Sequence, residues 1–180
     1  MIVRPEEIIL FWKDAGPEKW FEADPSFDET VRTRFLETYE AGMRGELEYW
    51  ERSAYGALAL VLLLDQFPRN MFRGTPRAFE GDEKAKQVSD RAIAEARDKA
   101  VDPALHTFFY MPYMHSEALS DQERCVALMA QGGTEENIKY AEIHRDAIAR
   151  FGRFPHRNAI LGRESTPEEI AYLEGGGFSG

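Results

Sequence analysis

Residues 53–68 read SAYGALALVLLLDQFP, and this stretch decides the fold class. From Tyr55 to Leu64 it carries neither charge nor proline. The run is about half the roughly 20 residues that a bilayer span requires. It therefore predicts a helix buried in a protein core, and no membrane segment. The run is apolar nearly all round, which places it centrally. Ser53 stands where an N-cap hydroxyl belongs. Pro68 has no N–H to donate and predicts a break just after Phe67.

Working outward, the patterned segments are helical. Pro5, Glu6 and Glu7 open a helix carrying Ile8, Ile9, Phe11 and Trp12, which Gly16-Pro17 ends. Asp24-Pro25 supplies an N-cap and N1, with a Ser26/Glu29 capping box one step later. Val31, Phe35 and Tyr39 then share a face up to a stop at Gly42 or Gly45. A charged helix is expected from about Glu83 to Lys99, with Val88, Ala92, Ile93 and Ala96 inward. Asp102-Pro103 starts another, with Leu105, Phe108 and Phe109, and Pro112 ends or kinks it. Ser120 and Glu123 form a second capping-box pattern. Thr134 begins a long amphipathic helix with Gly152 as its C′ residue. Thr166, Pro167 and Glu169 cap a last short helix. No alternating run is long enough for a strand. The prediction is one all-α domain over residues 1–180, with residues 175–180 a flexible, frayed glycine-rich tail. About eight helices joined by loops of about 3–10 residues would form antiparallel hairpins, stacked or bundled.

Composition narrows the function classes. The 180 residues include 22 basic and 32 acidic side chains, a net charge of −10. Such a chain repels polyphosphate, so nucleic acid is not an expected partner. One cysteine, Cys125, makes neither an internal disulfide nor a thiolate zinc site. Its neighbours Val126 and Leu128 predict packing, not nucleophilic attack. The first ten residues lack the basic start and apolar stretch of a signal peptide, so a cytoplasmic location is expected. No G-x-S-x-G, P-loop, G-x-G-x-x-G or H-E-x-x-H pattern occurs, and no cofactor or metal is predicted. Oligomeric state is not legible.

Two stretches echo each other: DQFPRNMFRGTPRAFE (65–80) and FGRFPHRNAILGRESTPEE (151–169). Each runs Phe-Pro, arginine with asparagine, arginine with glycine, then Thr-Pro. The segment from Arg150 to Arg163 holds four arginines and no acid, leaving the remainder at −14. Arginine presents a fixed fork of donors suited to carboxylate or phosphate. The candidate binding residues are Asp65, Gln66, Arg69, Asn70 and Arg73 from the first stretch, and Arg153, His156, Arg157 and Asn158 from the second. His115 and Glu117, from YMPYMHSE (110–117), complete the set. His144 shares a face with Tyr140, Ile148 and Phe151 and is expected to point inward. A metal at His115, His144 and His156 would require the fold to gather them.

Three readings follow. The first is a binding module holding a small anion or a peptide carboxylate in an arginine-rich pocket between the two Phe-Pro loops. The second is a scaffold in which the arginines cap helix ends and pair with local acids. The third is a hydrolase-like enzyme using His115 or His156 with Asp65 or Glu117. The residues favour binding over catalysis.

The segments ILFWK (9–13), Trp20-Phe21, LVLLLDQFPRNMFRGTPRAF (60–79), FFYMPYMHSE (108–117), DQERCV (121–126) and FGRFPHRNAILGREST (151–166) carry a further signal. Together they resemble the bacterial "domain of unknown function 924" family from about Ile8 to Glu174. The resemblance implies an all-helical, tetratricopeptide-like arrangement of hairpins. It implies no established activity, substrate or cofactor, and no catalytic residue. The tetratricopeptide consensus itself is not visible, so any repeat similarity is structural.

Overall fold

The computed structural model describes every residue from Met1 to Gly180. It contains helices and no strands. In chain order they are α1 (Pro5–Ala15), α2 (Pro17–Trp20), α3 (Pro25–Met43), α4 (Ala54–Val61), α5 (Phe67–Met71), α6 (Asp82–Ala94), α7 (Met111–His115), α8 (Leu119–Gly132), α9 (Glu135–Phe151), α10 (Asn158–Leu161) and α11 (Pro167–Glu174). Short 3₁₀ turns join several of them. No helix is long and apolar enough to cross a membrane.

The chain divides into two compact units, Met1–Arg73 with Arg77–Pro112, and Gly74–Pro76 with Tyr113–Gly180. In the first unit α4 packs against α1 and α6, and α3 packs against α5. Every residue from Ala57 to Leu64 is buried, as the apolar run predicts. Aromatic rings fill the space beside it. The Trp12 ring lies 5.5 Å from Phe67, 5.7 Å from Phe108 and 6.0 Å from Trp20.

Pro68 does not break the helix. Leu62–Gln66 forms a π turn, in which the Phe67 N–H donates to the Leu62 carbonyl, and α5 then continues through Pro68 to Met71. In a regular helix the Leu64 carbonyl would face the proline ring, which clashes with it and offers no N–H. The extra residue in the π turn removes that conflict. The Leu64 carbonyl instead faces Gly81, where a Cβ would come within 2.2 Å of its oxygen, so only glycine fits. The Asp65 carbonyl accepts from Arg69 Nη1 at 2.7 Å. The DQFPR segment is thus a bulged helix that its own arginine helps to cap.

Other boundaries also depart from expectation. Asp24 caps α3 through Ser26 N and Phe27 N as expected, and it is the Ser26/Glu29 box that is not used. That helix runs past Gly42 to Met43 and is stopped at Gly45, the other expected position, with φ at +79°. The charged helix α6 stops at Ala94, and Ala96 is exposed with φ at +55°, so it does not face inward. The segment after Asp102-Pro103 is a 3₁₀ turn, His106–Phe109, and Pro112 opens α7 in place of ending a helix. The Ser120/Glu123 box does not form, because α8 already starts at Leu119 with Ala118 at its N-cap.

In the second unit α8 and α9 pack as a helical hairpin across a short link. Thr134 caps α9 with Asn137 as its box partner, and Gly152 closes it with φ at +69°. Thr166 and Glu169 form the capping box expected for α11. The small core gathers Ala147, Ile148 and Phe154, with Phe178 packed against it. The tail thus places Phe178 against this cluster.

Candidate functional site

The first polar stretch builds a closed network within its own unit. Asp65 is fully buried on the π turn; its carboxylate accepts from Gln66 Nε2 at 2.7 Å and lies 3.4 Å from Arg69 Nη1. Arg69 forks onto Asp82 at 2.7 and 3.0 Å. Asn70 Nδ2 and the Arg73 guanidinium both donate to Asp28, at 2.8 and 2.7 Å. The negative first turns of α3 and α6 thus receive the positive groups of the loop. Each pair sits at a helix start, where an acid is favoured.

The second stretch centres on Phe154, whose ring is fully buried. Its N–H donates to Glu117 Oε1 at 2.9 Å, and its carbonyl accepts from Arg163. Arg163 forks onto Glu117 at 2.7 and 2.9 Å. Burial works against the charge of Glu117, but Arg163 and the Phe154 N–H outweigh it and hold the carboxyl below its usual range. Arg153 forks onto Glu169, and with the Thr166 N–H and Asn158 it holds that carboxyl down at about 2. Asn158 is buried and donates to Ser165 and Glu169.

The Phe154 ring also gathers one guanidinium and two imidazole rings. The Arg157 guanidinium stacks 4.7 Å from its centroid and donates to the His115 carbonyl at 3.0 Å. The His144 and His156 rings each lie 5.6 Å from it. His144 Nδ1 is 2.7 Å from the Tyr140 carbonyl. A carbonyl only accepts, so Nδ1 carries the hydrogen and Nε2 keeps its lone pair in the neutral ring. Burial pushes this imidazole down to about 3, against the Tyr140 bond, and repulsion from His115, His156 and Arg157 adds to the shift. His144 therefore stays neutral amid positive potential. No cluster of three or more histidine, cysteine or acidic side chains is placed to hold a metal ion.

Of the expected residues, Asp65, Gln66, Arg69, Asn70 and Arg73 lie in the first unit; His115, Glu117, Arg153, His156, Arg157 and Asn158 lie in the second. Within the second unit the fold brings His115 and His156 to Arg157, and Glu117 to the same loop. Reading by residue type missed Phe154 as the hub and Phe178 as a contact. It placed His144 in the core without linking it to the site. The one signal for Phe178 was an aromatic set in a glycine run. Two clefts open on the first unit, of about 230 Å³ beside Glu51 and Arg91 and about 380 Å³ beside Phe11 and Arg34. Neither is lined by an expected residue.

The profile of a family described as "Bacterial protein of unknown function (DUF924)" matches residues 8–177. The chain belongs to that family. A solved structure, described as that of a protein of unknown function, ATU0120, from Agrobacterium tumefaciens, is 47% identical. It superposes with a TM-score of 0.92 over 95% of this chain and 97% of that one. No curated protein matches the sequence. The matched residues include the bulged DQFPR helix and the Phe154 loop.

Proposed function

We propose that this DUF924 chain is a non-catalytic binding module, and that its ligand is a small anion or a carboxylate held by Arg157 with His115 and His156 beside it. One observation carries the reading: Arg157, His144 and His156 meet on one buried ring, while the nearby acids Glu117 and Glu169 are engaged by Arg163 and Arg153. Three arginines, Arg153, Arg157 and Arg163, here face the two acids Glu117 and Glu169 in an otherwise acidic chain. The shared pocket expected from the two loops narrows here to the second loop, since Arg69 and Arg73 are committed to Asp82 and Asp28. Catalysis gains no support. Glu117 accepts from Arg163 on both oxygens and is held below its usual range, which weakens it as a base.

The scaffold reading is favoured by the completeness of the ion pairs around Arg69, Arg73, Arg153 and Arg163. A thermal-shift titration with phosphate, using chloride at equal ionic strength as control, separates the two. The wild type should gain stability by mass action, about 2.7 kcal/mol at a hundredfold excess over the dissociation constant. Arg157→Gln should lose that gain while keeping its far-UV helix signal. Equal gains in both proteins would make Arg157 a structural cap and the protein a scaffold.

A further inference from the structure

The segment after α11 is built unlike the rest of the second unit. Three glycines, Gly175 to Gly177, lead to Phe178, and Gly176 has φ at +80°. The Gly177 N–H donates to the Tyr172 carbonyl at 2.9 Å and the Phe178 N–H to the Tyr172 hydroxyl at 3.0 Å. The Phe178 ring then turns back onto the Phe154 site. Its centroid lies 4.2 Å from His144, 5.1 Å from His156 edge-on and 6.1 Å from Phe154. The backbone of Gly180 follows it, so close that a Cβ there would sit 3.1 Å from His156 Nε2.

We infer that residues 175–180 form a displaceable strap, and that the cradle beneath Phe178 is a binding site for an aromatic carboxylate. The inference rests on the anion reading of Arg157 and names the ligand class. The cradle offers two imidazole rings and a phenyl ring, arranged around a benzyl group that the protein supplies itself. Offset and edge-on contacts of this kind select a planar ring. The Arg157 guanidinium stacks on the same Phe154 ring and supplies the cation for an acid group on a short linker. His144 stays neutral there, so it presents a ring face and a lone pair without a second full charge. Displacement is feasible because the four backbone hydrogen bonds donated from Gly175 to Phe178 all go to α11 itself, so only the half-buried Phe178 ring and the backbone of Gly180 hold the strap to the site. Ordering three glycines costs more backbone entropy than ordering any other three residues, which offsets much of what the ring contributes.

The test titrates the full chain and its Phe178→Ala variant with phenylpropanoate by calorimetry. Hexanoate serves as a control without a ring, and benzyl alcohol as one without charge. Phe178→Ala should bind phenylpropanoate at least tenfold more tightly than the wild type, with both controls at least tenfold weaker. Adding Arg157→Gln should remove the gain. In the wild type, saturating phenylpropanoate should abolish the proton NMR cross-peak between the Phe178 ring and His144. This second measurement holds even where the variant folds poorly. Equal affinities of wild type and variant, or a cross-peak that persists with ligand bound, overturns the strap. If phosphate still stabilises the wild type through Arg157 under those results, the anion site stands and only the aromatic site falls. If neither phosphate nor phenylpropanoate binds, both fall.

Discussion

Protonating His144 means placing a charge in a half-buried ring stack beside Arg157, so the folded chain resists it. Its folded pKa lies near 3, below the ordinary histidine value of about 6.5. Between these limits the unfolded chain binds the proton and the folded chain does not. Stability contributed by the neutral ring is therefore complete above about pH 6.5 and declines as pH falls toward 3, by at most about 1.4 kcal/mol per unit. His144→Gln should flatten the difference between urea melts at pH 6.5 and 5.5, where carboxylates are still ionised. A slope unchanged by the substitution would mean that the ring is solvated. Glu117 makes a second residue-scale case. It supplies both the cap on the Phe154 N–H and the partner of Arg163. Glu117→Gln should cost about 1–3 kcal/mol, the usual range for hydrogen bonds to a charged, partly buried group. The double variant with Arg163→Ala should cost clearly less than the two single losses together, because both remove one interaction.

At the scale of the element, the π turn Leu62–Gln66 carries the most information. It keeps α4 and α5 continuous in spite of Pro68, turns the buried Asp65 toward Gln66 and Arg69, and aims the Leu64 carbonyl at Gly81. Leu62 is fully buried at the start of this turn. Leu62→Ala should cost about 2–5 kcal/mol through lost packing and the cavity left behind. A denaturant melt showing less than about 1 kcal/mol would contradict the central position of the helix. Gly81→Ala should be severe for a different reason, since its Cβ has no room beside the Leu64 oxygen. A backbone shift would be forced in α6 or in the turn, and the Asp82–Arg69 pair would move with it. Loss of that pair should appear as weakened protection of the α6 amides in hydrogen exchange.

At the scale of the whole molecule, the two compact units bury different things. The first is organised by an apolar helix and a ring cluster around Trp12. The second has a small apolar core and a shell of paired charges, with Glu117 and Glu169 both held below the usual carboxylate range. For these two acids the folded pKa is depressed, so their contribution is present above about pH 4.5 and is lost as pH falls through the folded value, which for Glu169 is about 2. His144 adds its own loss in the same direction. Acidification should therefore open the second unit before the first. Hydrogen exchange at pH 4 should show amides of α9 and α11 losing protection while those of residues 57–64 keep theirs. Simultaneous loss in both units would show that unfolding is a single cooperative step.

Some of this was legible in the residues alone. A ten-residue run without charge, the caps Thr134 and Thr166, and a charge balance of −10 with one basic segment depend only on local pattern and count. They settled the helical class and most helix starts, because helix capping and burial of an apolar run act between near neighbours. The long motifs likewise marked the family. The partner of each arginine was beyond such reading: Arg69 meets Asp82, Arg73 meets Asp28 and Arg163 meets Glu117 across up to 46 positions. An ion pair is chosen by proximity in three dimensions, and an acidic chain offers many acids of equal chemistry. Pro68 was misread for a related reason. Its local preference is to end a helix, and packing of the Leu64 carbonyl against Gly81 made a π turn the better solution. Phe178 docks only because α9, the Phe154 loop and α11 bring His144, His156 and Tyr172 to one place, which no local pattern encodes.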